Sequence, residues 1–169
     1  MIQICEVTHT GWRQTNYFSY SYSPHSIYYL RVLYYKPYVR EVVDLYSPIN
    51  GRSICGFKFY NPTFGDYSNE TPEIIVNNSE STKWLTKDDI DYNNLYMDVN
   101  WTDKIVKYYS KGNLLYSENL KNDYTKDIVW RIYMEDRGED GAITVVVDLY
   151  RDYYRIIQDE QYTYGFPNE

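Results

Sequence analysis

The side chains of widest chemical range in this sequence are two histidines, His9 and His25, and two cysteines, Cys5 and Cys55. All four are zinc-ligand types, but no pair has the short spacing of a zinc knuckle, so no metal is expected. Asp89-Ile90-Asp91-Tyr92-Asn93 opens like a calcium loop. Asn94 then stands where the loop needs a bending Gly, and Asn100 where it needs a bidentate Glu. The segment reads instead as a solvated, acidic helix start. Nucleophilic catalysis needs a base and an orienting group beside the nucleophile. Nothing around either cysteine builds a strained elbow or an oxyanion hole. His9 beside a turn and His25 after Pro24 read as polar loop residues. The glycines are scattered, with no phosphate-cradling loop. These residues point away from an enzyme, and they call for no cofactor. The cysteines are expected as two buried free thiols, with a single Cys5–Cys55 bridge the alternative.

Binding chemistry is better represented. Tyr17 to Ser23 alternates Tyr and Ser, with Phe18, Tyr20 and Tyr22 on one strand face and Tyr17 on the other. Tyrosine brings contact area, little rotamer entropy and a hydroxyl, which is why paratopes combine it with Ser. Tyr17, Tyr20 and Tyr22 are therefore candidate partner-binding residues. Asp136, Glu139 and Asp140 lie in an acidic connection between two strand-like runs, where carboxylates can stand in for phosphates. A second, weaker pattern interleaves Arg31, Tyr35, Lys36 and Arg40 with further tyrosines, as in strands that stack bases and neutralise phosphates. Its side chains divide between both strand faces, so it makes no clean platform. Direct nucleic-acid binding is the disfavoured reading.

These side chains need strands to hold them. Period-two alternation and β-branched or aromatic runs predict strands near 2–8, 16–23, 27–36, 38–46, 53–60 and 73–76. Residues 104–110 and 113–118 read as a hairpin turning at Lys111-Gly112, with a helix from Thr102 as the alternative. Residues 127–135 and 142–150 read as another hairpin, its tip at 136–141. Thr86-Lys87-Asp88-Asp89 has the hydroxyl and acids of a helix start, which predicts a short helix over 87–97. Residues 151–164 fit a final helix or strand. The Asn-, Pro- and Gly-rich stretch 61–82 reads as one long loop within a single domain, 1–169. The fold class expected is α+β and β-rich: antiparallel sheet, several hairpins and one or two short helices.

Composition bounds the rest. The chain has 169 residues, enough to bury a core without disulfides or metal. It holds 23 Tyr against 5 Phe. Both have AT-rich codons, so codon bias does not account for the ratio, and tyrosines at a core rim or an exposed face do. Net charge is −7. Residues 1–60 carry six basic and three acidic side chains, and residues 61–169 carry 11 and 21. That split implies two electrostatic faces if the halves stay apart in space. Acidity favours a basic protein partner over nucleic acid. No apolar run is long enough to span a membrane and no signal peptide is visible, so a cytoplasmic protein is expected, in the host cytoplasm if viral. Together these features suggest a small acidic protein that inhibits another protein stoichiometrically. A phage inhibitor of a host defence nuclease and a toxin immunity protein both fit, each able to mimic nucleic acid. A structural or assembly component with a Tyr-rich interface is one alternative. A nucleotide- or sugar-binding module that stacks its ligand on Tyr and Trp is the other.

Overall fold

A computed structural model describes residues 2–10, 13–34, 39–60, 72–78, 81–85, 90–121, 128–136 and 143–152. The described chain forms twelve strands: β1 (Ile2–Thr10), β2 (Arg13–Ser19), β3 (His25–Tyr34), β4 (Val39–Ser47), β5 (Arg52–Tyr60), β6 (Glu73–Val76), β7 (Ser81–Trp84), β8 (Leu95–Asn100), β9 (Ile105–Ser110), β10 (Asn113–Asn119), β11 (Val129–Asp136) and β12 (Ile143–Asp152). They pair antiparallel into two six-stranded sheets, ordered β1-β12-β3-β8-β9-β10 and β2-β11-β4-β5-β6-β7. We call these sheets A and B.

The β-rich, antiparallel part of the expectation holds; among the described residues there is no helix. Within the expected helix 87–97, the described part runs through a turn at 92–93 into β8. Leu95, Met97 and Val99 face the core on that strand, a period of two that overrides the cap-like start. Residues 151–164 lie almost wholly outside the described residues, as does most of the 61–82 loop apart from β6 and part of β7. No helix of the described chain is long and apolar enough to cross a membrane.

The two sheets face each other across one core. Sheet A contributes Tyr28, Leu30, Val32, Leu95, Met97, Val106, Tyr108, Val147 and Leu149. Sheet B contributes Val43, Leu45, Cys55, Phe57, Ile74, Trp130 and Ile132. The alternation in each strand sets which residues turn inward. In β1 a bulge between Gln3 and Cys5 resets the parity, so Cys5, Val7 and His9 are buried instead of a continued Ile2–Ile4–Glu6 series. Cys5 and Cys55 are buried free thiols in different sheets.

Two local turns match their sequence. β9 and β10 pair Ser110 with Asn113 around Lys111-Gly112, both at positive φ (54° and 76°), the requirement of a tight two-residue hairpin turn. Asn50-Gly51 turns β4 into β5, with Gly51 at φ 63°. The expected hairpin of β11 and β12 does not form. β11 pairs with β2 and β4 in sheet B, and β12 with β1 and β3 in sheet A. The acidic connection crosses between sheets. Asp136 ends β11, and Glu139 and Asp140 lie outside the described residues.

Candidate binding site

Strand β2 is an edge strand of sheet B, and its alternation sends neighbouring tyrosines to opposite sides. Tyr17 points outward and is 56% exposed. Its cross-strand neighbour on β11 is Arg131, and that of Arg131 on β4 is Asp44. Arg131 donates from Nε to Asp44 Oδ1 at 3.0 Å, and from a terminal nitrogen to Oδ2 at 2.6 Å. Its guanidinium also lies 4.1 Å from the centre of the Tyr46 ring. Tyr17 and Tyr46 flank β11 with ring centroids 6.2 Å apart and planes 24° from parallel. Burial works against the charge on Arg131, but the Asp44 carboxylate outweighs it and raises the guanidinium pKa. Burial pushes Asp44 up in turn, despite the arginine. The result is a Tyr–Arg–Tyr patch on the outer face of sheet B whose central cation is held in place by a fully buried carboxylate.

Tyr20, just past the end of β2, turns the other way. Its hydroxyl accepts a 2.8 Å hydrogen bond from Trp101 Nε1, and its ring packs against Tyr28 and Trp130 at centroid distances of 6.2 and 6.1 Å. Tyr28 and Trp130 meet edge to face at 4.8 Å. These three rings, with Ile2 and Ile4 of β1, Ser19 of β2, Ser21, and Arg151 of β12, line a pocket of about 310 Å³ that opens to solvent where the edges of the two sheets come together. Tyr22, beyond the strand, is 53% exposed. The three candidate tyrosines therefore occupy an outer face, an inner wall and a connecting segment, not one continuous surface. The burial of Tyr28, Tyr29, Tyr96, Tyr108 and Tyr109 likewise shows that many tyrosines are core, more than a rim reading allows.

The Arg31–Arg40 pattern comes apart. β3 carries Arg31 in sheet A and β4 carries Arg40 in sheet B; Tyr35 and Lys36 lie outside the described residues. Arg31 sits 3.5 Å from Asp148, its cross-strand neighbour. Opposite-sheet placement removes the stacking strand that the sequence suggested.

Both histidines depart from the loop reading. His9 is buried on β1 and spans the sheets, with Nδ1 3.2 Å from Glu41 Oε2 and Nε2 2.7 Å from Asn16 Oδ1. His25 opens β3 with Nε2 2.6 Å from Asp98 Oδ1. Among the described residues, no group of three His, Cys, Asp or Glu is placed to hold a metal ion. Cys5 is pushed up to about 12 by burial and the nearby Asp148, and burial raises Cys55 further, so neither thiol is poised as a thiolate.

Sequence reasoning reached Tyr17 and Tyr20 but missed Asp44, Tyr46, Arg131, Trp130 and Arg151. Alternation in β11 shows that Arg131 and Trp130 face opposite ways. That Asp44 and Tyr46 meet Arg131 depends on pairing between strands about 90 residues apart, which no local signal encodes.

No family model matches the chain, and no curated protein matches it. Among solved structures, it is similar to a Bacillus licheniformis β-glucanase at 12% identity and a TM-score of 0.50, over 81% of this chain and 68% of that one. It is also similar to the PSpry domain of TRIM65 (12% identity, TM-score 0.45, 83% of this chain and 72% of that one). A sialidase matches at 8% identity and a TM-score of 0.46, over 88% of this chain and 15% of that one. At such identity the likeness to the glucanase shows a shared two-sheet fold and nothing about activity.

Proposed function

We propose that this protein is a non-catalytic binding protein that neutralises another protein by stoichiometric association, through the outer face of sheet B around Tyr17. The observation that carries this reading is the Tyr17–Arg131–Tyr46 patch. Tyr and Arg dominate interface hot spots because they offer large contact area together with directed hydrogen bonds. Here the arginine is already fixed by Asp44 and stacked on Tyr46, so little side-chain entropy is left to lose on binding. Pairing with Asp44 balances the charge of Arg131, so a partner need not be acidic. The net charge of −7 supports steering of a basic partner, including the nuclease or toxin targets that suit a phage-type inhibitor or an immunity protein.

The test is affinity capture from lysate of the source cell or its host, treated with nuclease and read by intact-complex mass spectrometry. One partner at fixed stoichiometry is expected for the wild type. It is lost with Tyr17→Ala and kept with Ile49→Ser, a control at an exposed turn residue. Capture indifferent to Tyr17, or loss of every partner on nuclease treatment, would overturn the reading.

A further inference from the structure

Among the described strands, β1, β10, β2 and β7 form the edges of the two sheets, and three of these are blunted. β1 carries bulges between Gln3 and Cys5 and between His9 and Thr10. β10 carries one between Leu114 and Tyr116. β7 has only four residues, and its Lys83 donates to the Leu115 carbonyl of β10 at 2.9 Å, so one cation guards both edges. Bulges, short length and lysines are the devices that keep an edge from adding a strand. β2 has none of them. It pairs with β11 residue for residue from Arg13 to Ser19 and contains neither Lys nor Pro. Among the described residues, no strand lies on its other side. Five of its seven residues are exposed. Asn16 is one of these although its side chain turns inward to His9, so solvent reaches the strand from the edge itself. At the Ser19 end, the pocket walled by Ile2, Ile4, Tyr20 and Trp130 opens between β1 and β2. Toward the other end, Gln14 and Asn16 fill the same gap with bonds to Thr10 and His9.

We propose that β2 takes up an extended, basic segment of a partner protein as a seventh strand of sheet B, with a large apolar side chain near the segment's N-terminal end seated in this pocket. The added strand runs antiparallel to β2, as every pairing within the sheet does. In that direction the segment begins beside Ser19 and ends beside Arg13, so only its first inward position meets the pocket mouth. Main-chain hydrogen bonds give such a strand its affinity, and the pocket gives it selectivity. Its outward side chains come to lie beside Tyr17, at the margin of the Tyr17–Arg131–Tyr46 patch. Charge decides between occupants. A second copy would bring another −7 to a chain of −7, whereas a segment bearing Lys or Arg is complementary. The inference rests on the protein-binding reading above and adds to it the form of the partner's segment.

The probe is the peptide acetyl-Phe-Lys-Val-Lys-Val-Lys-Val-amide, whose Phe and Val side chains share one strand face and whose lysines share the other. Binding is read by hydrogen exchange of the β2 amides and by the indole N–H resonance of Trp130, assigned with Trp130→Phe. The peptide is expected to slow exchange over residues 13–19 and to move that resonance. Ala in place of its Phe should weaken binding at least about tenfold, as loss of an aromatic anchor does. Pro in place of its central Lys should abolish the protection of β2, because Pro cannot donate to a ladder. Glu in place of its three lysines should weaken binding several-fold, by a margin that narrows as salt rises. Ser21→Trp, which fills the pocket from its rim, should bring the Phe peptide down to the level of the Ala peptide. No slowing at β2 with millimolar peptide, equal binding of the Phe and Ala peptides, or protection of β7 or β10 instead would overturn the proposal. So would a dimer of the free protein with its β2 amides already protected, since a second copy would then hold the edge. If capture of the partner depends on Tyr17 while β2 exchange in the complex is unchanged, the edge pairing fails and the outer patch stands. If the peptide protects β2 while capture ignores Tyr17, the edge pairing stands and the outer patch fails. The wild-type contrasts between peptides decide the matter even if a variant fails to fold.

Discussion

With Asn16 Oδ1 as acceptor, the 2.7 Å contact places a proton on His9 Nε2. Nδ1 then shares a second proton with Glu41, either as imidazolium facing carboxylate or as imidazole facing carboxylic acid. Burial pushes the Glu41 carboxyl up to about 7. Its other oxygen, Oε1, is buried with no hydrogen-bond partner. Burial lowers the His9 pKa, but the bonds to Glu41 and Asn16 more than offset it, and the net shift is upward. Both groups therefore hold protons more tightly folded than unfolded. Their contribution to stability is fully present below the ordinary Glu value of 4.5 and is lost as pH rises through about 7 and beyond. Burial shifts Glu73 and Asp98 in the same direction. The melting temperature should thus fall by several degrees between about pH 5 and pH 8. Glu41→Gln, which keeps a neutral hydrogen-bonding group beside His9, should flatten that slope. A melting temperature that rises over this range would rule the account out.

At the scale of elements, β5 and β9 are joined through one side chain. The Tyr108 hydroxyl accepts from the Gly56 N–H at 3.0 Å and donates to the Ile75 carbonyl at 3.0 Å, so a tyrosine of sheet A binds two strands of sheet B. Tyr108→Phe preserves the packing but strands the Gly56 amide, and should cost about 1–3 kcal/mol in denaturant unfolding. Gly56 itself has a steric reason to be glycine. A Cβ there would sit 2.4 Å from both the Asp44 Cβ and the Val43 carbonyl oxygen. Gly56→Ala must push β4 away from β5, at a cost of about 1–3 kcal/mol, and it would disturb the carboxylate that holds Arg131. A melting temperature within experimental error of wild type would show that the strands separate freely at this point. Most strands were readable from alternation, and the β9–β10 turn from Lys111-Gly112, but β7 was not, and β8 was hidden behind the cap-like residues that suggested a helix over 87–97. The β1 bulge was not readable either, because an extra residue in a ladder is defined by the partner strand, here β12.

At the scale of the whole molecule, the uneven charge of the two sequence halves does not become two faces. Strands from residues 1–60 sit in both sheets, interleaved with β8–β10 and β12 in sheet A and with β6, β7 and β11 in sheet B. Electrostatic steering is then a property of the net charge and of particular acidic segments. If the partner is a nucleic-acid-binding protein, replacing Asp136, Glu139 and Asp140 with Asn, Gln and Asn should weaken the complex and flatten its dependence on salt. Affinity measured from low to high ionic strength checks this, and equal affinities for variant and wild type throughout would exclude mimicry by this segment.

The sequence by itself determined most of the strands, the turns at Asn50-Gly51 and Lys111-Gly112 and the inward or outward parity of many side chains, because each depends on residues a few positions apart. It also placed the Tyr17 and Tyr20 side chains on opposite sides of the chain. Only the tertiary structure decided which strands pair, that β11 and β12 lie in opposite sheets, and that Arg31 and Arg40 are separated. It also decided that His9 is buried against Glu41 and that Arg131 and Arg151 face different sides of the sandwich. These are outcomes of long-range pairing, in which any β-strand edge can in principle accept any other. The choice is made by how both inner faces together fill one core, a condition that no short stretch of chain contains.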